Sequence, residues 1–126
     1  MSGAKDFREL ACWQLASEFK LRIYRVVERP AVRMDFRFAD QIRDAAASAP
    51  RNIAEGFGRR THPDFAHYLD IARGSLMESQ NHLYDAVDRG HITAVERDDM
   101  VRLARRAGSA IAALQRYLRN NPNPPL

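Results

Sequence analysis

Apolar residues recur along this chain at spacings of three and four, the period of helices that bury one face. No stretch alternates polar and apolar positions as a half-buried strand would. Cys12, Ala16, Phe19, Ile23 and Val26 form one stripe, widened by Trp13 and Val27. They predict a first helix over about residues 6–29, stopped by Pro30. Glu18, Arg22, Arg25 and Arg29 fall on its opposite side. A second helix over about 35–58 carries Phe38, Ile42, Ala45, Ala46, Ala49, Ile53 and Phe57. Its middle, RDAAASAP, consists mostly of small residues, which let a neighbouring helix approach closely. Pro50 removes one backbone donor there, and a kink is expected instead of a break because Ile53 and Phe57 continue the apolar face.

Phe65, Leu69, Ala72, Leu76, Leu83 and Val87 predict a third helix over about 62–90, with Ser79 interrupting the stripe. Thr61 and Asp64 cap its start, Pro63 is tolerated in its first turn, and Gly90 ends it. The fourth, about 94–119, opens with Thr93 and Glu96 in the spacing of a capping box. Met100, Leu103, Ala107, Ile111, Leu114 and Leu118 supply its core face. The terminal NNPNPPL predicts an extended, flexible tail over 120–126. Long helices joined by short loops pack as antiparallel neighbours. The expected fold is all-α, an antiparallel up-and-down four-helix bundle in a single domain over 1–119. A turn near residue 60 sets Arg43 opposite Glu78, and these two are expected to pair across the second and third helices.

At 126 residues the chain is the size of one ordinary domain. No apolar run reaches the ~18 residues of a membrane span, nothing at the start resembles a signal peptide, and Cys12 is the lone cysteine. A cytoplasmic protein without membrane contact, disulfide or CxxC metal site is expected. The net charge is only +4, but it is unevenly spread. Residues 1–34 hold seven basic and four acidic groups, residues 61–90 two and five, and residues 91–126 six and three. The first and last helices are therefore basic and the third acidic. At 100° per residue, Arg102, Arg105, Arg116 and Arg119 point away from the last helix's apolar stripe.

Little in the chain reads as catalysis. Asp64–His67 and Asp88–His91 have an acid–His spacing used in di-iron bundles, but both pairs lie on one helix, about 36 Å apart by rise per residue. The two glycines of EGFGRR end a helix instead of linking a strand to one, so they are no phosphate loop. Cys12 on an apolar face reads as an inert core thiol. Neither metal nor cofactor is expected. Arg60 and His67 crudely fit the Arg-to-His spacing of HEPN ribonucleases, where the two would stabilise phosphate charge and move a proton. Arg43, Ser48, Asn52, Glu55, Ser75 and Glu78 sit among core-spaced residues. They read either as a ligand pocket or, preferably, as an interhelical hydrogen-bond network.

QIRDAAASAPRNIAEGFGRR, followed by DFAHYLDIARGSLMES, resembles the four-helix-bundle proteins named after the intervening sequences of 23S ribosomal RNA genes. The opening DFRELACWQLASEFKLRIYRVVERP, with Trp13, Ala16, Tyr24 and Pro30, is similar to that family's first helix, and the match spans about residues 6 to 118. The resemblance implies a cytoplasmic bacterial bundle assembled as a homopentameric ring. It also implies kinship with the accessory proteins of diversity-generating retroelements, which bind nucleic acid and a reverse transcriptase. By motif it carries over Arg43, Asn52, Glu55, Gly56, Arg60, Gly74, Ser75 and Glu78, without catalytic roles. Asp44 and Ala49 depart from the pattern, where a second basic residue and a larger aliphatic are usual, and argue against an RNA-binding stripe on the second helix.

The expected function is a non-enzymatic, self-associating scaffold that binds RNA or DNA weakly. Arg22, Arg25 and Arg29 on the first helix and Arg102, Arg105, Arg116 and Arg119 on the last would hold the phosphates. A purely structural oligomer and a metal-independent ribonuclease are the alternatives.

Overall fold

A computed structural model describes residues 3–122. A short 3₁₀ turn at Phe7–Glu9 leads into α1 (Ala11–Val27), α2 (Pro30–Met34), α3 (Phe36–Phe57), α4 (His62–Asp88) and α5 (Ala94–Asn120). The four long helices form an antiparallel square. α3 packs on α4, α4 on α5, and α1 closes the ring against both α3 and α5. The protein is all-α, an up-and-down bundle with an extra short helix at one corner, and no strand occurs among the described residues.

The apolar stripes meet in one core. Phe19 and Ile23 of α1, Ile42 and Ile53 of α3, Leu69, Leu76 and Leu83 of α4 and Ile111 of α5 are fully buried. Cys12 lies in the same core, where burial pushes its thiol up to about 11. Trp13 is half-buried and meets Phe7 edge-on at 5.5 Å, while Tyr24 lies under the Lys20 ammonium at 5.7 Å.

The first element differs from the expected helix over 6–29. Asp6 accepts a hydrogen bond from the Arg8 amide and caps the 3₁₀ turn, and Leu10 then takes an extended backbone and buries its side chain. Only after this inward step does α1 begin. At the far end Pro30 forces Arg29 into the extended region, so the chain turns. Pro30 does not simply stop a helix; it opens α2, at the first helical position, where its missing N–H costs nothing.

α3 runs without a break through Pro50, which is buried beside Ala46 and Ala49. α4 starts at Thr61, whose hydroxyl accepts from the Asp64 amide at 3.2 Å. It ends at Gly90, whose φ of 77° is the left-handed conformation that closes a helix, with the His91 amide reaching back to the Ala86 carbonyl. Thr93 and Glu96 exchange both capping-box hydrogen bonds at the start of α5. Of the tail expected over 120–126, Asn120 is the last residue of α5 and the Asn121 side chain donates to the Tyr117 carbonyl at 2.9 Å. Residues 123–126 lie outside the described residues.

Gly56 explains how closely α3 and α4 meet. A Cβ there would lie 2.8 Å from Phe65 Cδ1, 2.9 Å from Tyr68 Cβ and 3.2 Å from the Phe65 carbonyl oxygen. Gly74, exposed in the middle of α4, has nothing within 4 Å of the same position. Alanine should therefore act in opposite directions at these two glycines. Gly56→Ala should destabilise by about 1–3 kcal/mol through overpacking, despite the better helix propensity of alanine. Gly74→Ala should stabilise by about 0.5–1 kcal/mol. Urea unfolding of both variants checks this, and equal shifts of the same sign would contradict the close approach.

Candidate nucleic-acid interface

The seven candidate arginines do not form one patch. Arg22, Arg25 and Arg29 line a cleft of about 340 Å³ between α1 and α5, together with Glu96, Asp99 and Met100. A second hollow of about 190 Å³ shares Arg22 and Asp99 and adds Arg102 and Arg106. Arg105 and Arg116 are exposed on the outer face of α5. Arg119 lines a different cleft, between α4 and α5, with Arg73, Asp70 and His62.

Within the α1/α5 cleft most of the charge is already neutralised. Arg22 pairs with Glu18 at 3.4 Å, and Arg102 pairs with Asp99. Arg29 makes a two-pronged contact to Glu96, at 2.5 and 3.3 Å, and also donates to the His91 carbonyl at 3.2 Å. It clamps the end of α1 to the start of α5 and is not free for a phosphate. By contrast, Arg25, Arg105, Arg116 and Arg119 pair with no carboxylate among the described residues.

Sequence reasoning passed over Arg106, Arg73 and the Arg97–Tyr84 stacking, and weighed His91 only as a metal ligand. Arg106 stands four residues after Arg102, so helical spacing could have added it to the cleft. Arg73 was hidden because its helix reads as acidic; it donates to Gln115 at 3.2 Å, and Gln115 in turn donates to Asp70 at 2.7 Å. The Arg97 guanidinium lies 4.8 Å from the centre of the Tyr84 ring, a stacking that no local pattern signals. His91 ties the corner together: its ring donates to Asp35 at 2.8 Å, its carbonyl receives Arg29, and Phe38 packs against it at 5.1 Å. Arg89 donates to both Asp35 and Asp85.

The polar family positions split by role. Asn52 donates to the Ser48 carbonyl at 2.8 Å and to the Ser48 hydroxyl at 3.0 Å. The Ser48 and Ser75 hydroxyls are 2.7 Å apart, and Ser75 donates to the Ile71 carbonyl at 3.1 Å. Each hydroxyl has one proton, so the chain runs from Asn52 to Ser48, Ser75 and the Ile71 carbonyl. Ser79, fully buried, donates to the Ser75 carbonyl. This network joins α3 to α4, and none of the buried side-chain polar atoms among the described residues lacks a partner. Glu55 pairs with Arg59 at 3.1 Å, and Arg60 is exposed. His67 makes its ring contact with Tyr68.

The expected Arg43–Glu78 pair does not form. Arg43 binds Asp40 at 2.9 Å, and Glu78 contacts His82 at 3.4 Å. The register between α3 and α4 is close to the expected one, since Ser48 meets Ser75. The rotation is what differs. Arg43 lies five residues before Ser48, roughly 140° around the helix at ~100° per residue, and so points away from α4.

No cluster of three or more His, Cys, Asp or Glu groups suited to a metal occurs among the described residues. No helix among them is long and apolar enough to cross a membrane. The architecture is that of a small helical bundle with structural polar networks inside and arginines outside. Residues 8–113 match the model of the family described as 23S rRNA-intervening sequence protein, and the chain belongs to that family. A crystal structure at 1.70 Å of a protein with unknown function from the S23 ribosomal protein family of Bacteroides thetaiotaomicron has the same fold. It superposes with a TM-score of 0.75 at 19% identity, over 83% of this chain and 98% of that one. No curated protein matches the chain.

The clamp at the α1/α5 corner has a pH signature. The Glu96 carboxyl is held at about 2, against an ordinary 4.5, first by Arg29 and then by the Thr93 amide. Asp35 is lowered in the same direction, first by His91. A carboxyl depressed in the folded state binds protons more readily once unfolded. Its stabilisation is thus complete above pH 4.5 and is lost as pH falls toward 2. More than a third of each side chain is exposed, which limits the Glu96 clamp to about 1 kcal/mol or less. Thermal melting from pH 6 downward should show a shallower acid loss for Arg29→Met than for the wild type; parallel curves would exclude the clamp.

Proposed function

We propose that this protein is a non-enzymatic, self-associating scaffold that binds nucleic acid weakly and without sequence preference. The observation that carries the reading is that four of the seven candidate arginines, Arg25, Arg105, Arg116 and Arg119, are exposed and pair with no carboxylate among the described residues. Guanidinium groups suit phosphate oxygens through paired hydrogen bonds, and contacts made only to phosphates carry no base information. Arg22, Arg29 and Arg102, each bound to an acid of the same chain, contribute less than their position suggests. A net charge of +4 on one chain gives weak binding, which repetition in a ring multiplies.

Self-association is supported by apolar side chains that one bundle leaves in solvent, among them Met34, Phe36 and Val95, each more than 60% exposed. Family kinship points to a closed ring of five, and heterologous contacts that close give such a ring. The reverse transcriptase bound by retroelement accessory proteins is a partner by that kinship alone. Light scattering at micromolar concentration should give about five times the 14.4 kDa of one chain, and a monomer would contradict the ring.

The competing reading is a purely structural oligomer, favoured by the neutralised α1/α5 cleft. Arg105→Glu with Arg116→Glu separates the two. Both positions are exposed, so the bundle should stay folded while binding to any oligonucleotide at ~50 mM salt is abolished. Unchanged binding by the double variant, seen in fluorescence anisotropy, would contradict the proposed role of these arginines.

A further inference from the structure

The groove between α4 and α5 differs from the α1/α5 cleft in kind. At one end the Tyr84 ring is 47% exposed with Arg97 stacked on it. At the other end a concavity of about 520 Å³ is lined by Arg73, Arg119 and His62 and by the apolar Pro63, Ala66 and Leu118. Met77, 65% exposed, lies between them on α4. Arg73, Met77 and Tyr84 are spaced by four and seven residues and so share one stripe of the helix, about 16 Å long by rise per residue.

On α5, Arg97 and Gln115 mark the flank that faces α4. Arg105 and Arg116 lie roughly 80–100° further round α5 from Gln115, on its outer face next to the groove. Asp70 also lines the concavity and keeps its charge beside Arg73 and Arg119, accepting a hydrogen bond from the neutral Gln115 amide at 2.7 Å. Asp98 is paired with Arg97 at 3.0 Å. Guanidinium groups alternate here with a half-exposed aromatic ring and an apolar floor.

We propose that this groove is the seat of nucleic-acid binding and that its ligand is a single strand. The inference rests on the reading above, that the protein binds nucleic acid at all. Bases stack on Tyr84 and lie against Met77, phosphates bind Arg73, Arg105, Arg116 and Arg119, and one nucleotide enters the concavity. Its volume falls in the ~300–1,000 Å³ range of small-ligand pockets. The stripe spans about five nucleotides at a stacked ~3.4 Å rise. A duplex hides its base faces and presents phosphates alone, so it draws nothing from Tyr84 or Met77. A strand with open bases uses both the charge and the ring, and stacking of this kind tolerates any sequence.

Fluorescence anisotropy with a labelled 20-nucleotide dT strand and a blunt duplex of equal length, at ~50 mM salt, tests the proposal. The wild type should prefer the strand. Tyr84→Leu should weaken strand binding about tenfold and leave duplex binding unchanged. Arg73→Gln with Arg119→Gln should weaken it at least as much. Arg106→Gln, in the α1/α5 hollow, should change it by less than about twofold.

Equal affinity for strand and duplex, or loss confined to the Arg106 variant, would overturn the groove while leaving nucleic-acid binding in place. A changed mass of Tyr84→Leu in light scattering would make the groove a contact between copies and overturn it too. If Tyr84→Leu melts early, the Arg73/Arg119 variant decides in its stead. No wild-type binding to either probe would remove both the groove and the reading beneath it.

Discussion

The bundle depends on how closely α3 and α4 can approach. Gly56 lets the backbone of α3 sit against Phe65 and Tyr68, where one added carbon would be under 3 Å from both. Ala45, Ala46 and Ala49 keep the buried face of α3 thin, and the Ser48–Ser75 contact fixes its height against α4. Small residues alone would let the helices slide, because apolar contact is not directional. A hydrogen-bonded chain with one donor and one acceptor at each step does not slide without leaving buried groups unpaired. Close contact and register are thus supplied by different residues on one face.

With α3 and α4 set, α1 and α5 close the square, and the corner where they meet is held by charge. Arg29 and Asp35 from one stretch of chain and His91 and Glu96 from another link the ends of α1, α3 and α5 to the α4–α5 loop. This corner uses several of the protein's charges for structure. Arg22, Arg29 and Arg102 around it are matched by acids, while Arg25 on α1 and Arg105, Arg116 and Arg119 farther along α5 are not. The modest net charge therefore understates what the α5 face and the α4/α5 groove offer to a polyanion.

Most of the helical frame was legible in the chain, because amphipathic period, the Thr61 and Thr93 caps and Gly90 are local signals. What escaped depends on long-range context. The extended step at Leu10 follows from burying that side chain against the bundle, which spacing along one helix does not reveal. The Arg43–Glu78 expectation had nearly the right register and the wrong rotation, since a register sum ignores the angle around each axis. Outward direction was readable for Arg29 and Arg102, but their capture by Glu96 and Asp99 was not. Tyr84 and Arg73 sit on a helix whose overall charge is acidic, and only the packing of α4 on α5 brings them beside Arg97 and Arg119.

The central claim is that the unpaired arginines bind phosphates, and salt dependence tests it most directly. The measurement is the wild-type affinity for a labelled oligonucleotide across ~50 to 200 mM salt. Each neutralised phosphate of a single strand adds about 0.7 to the slope of log affinity against log salt. Three or four arginines on one chain should therefore give a slope of about −2 to −3, steeper if several chains engage the same strand. Absence of binding at the lowest salt, or an affinity that does not change with salt, would contradict the account.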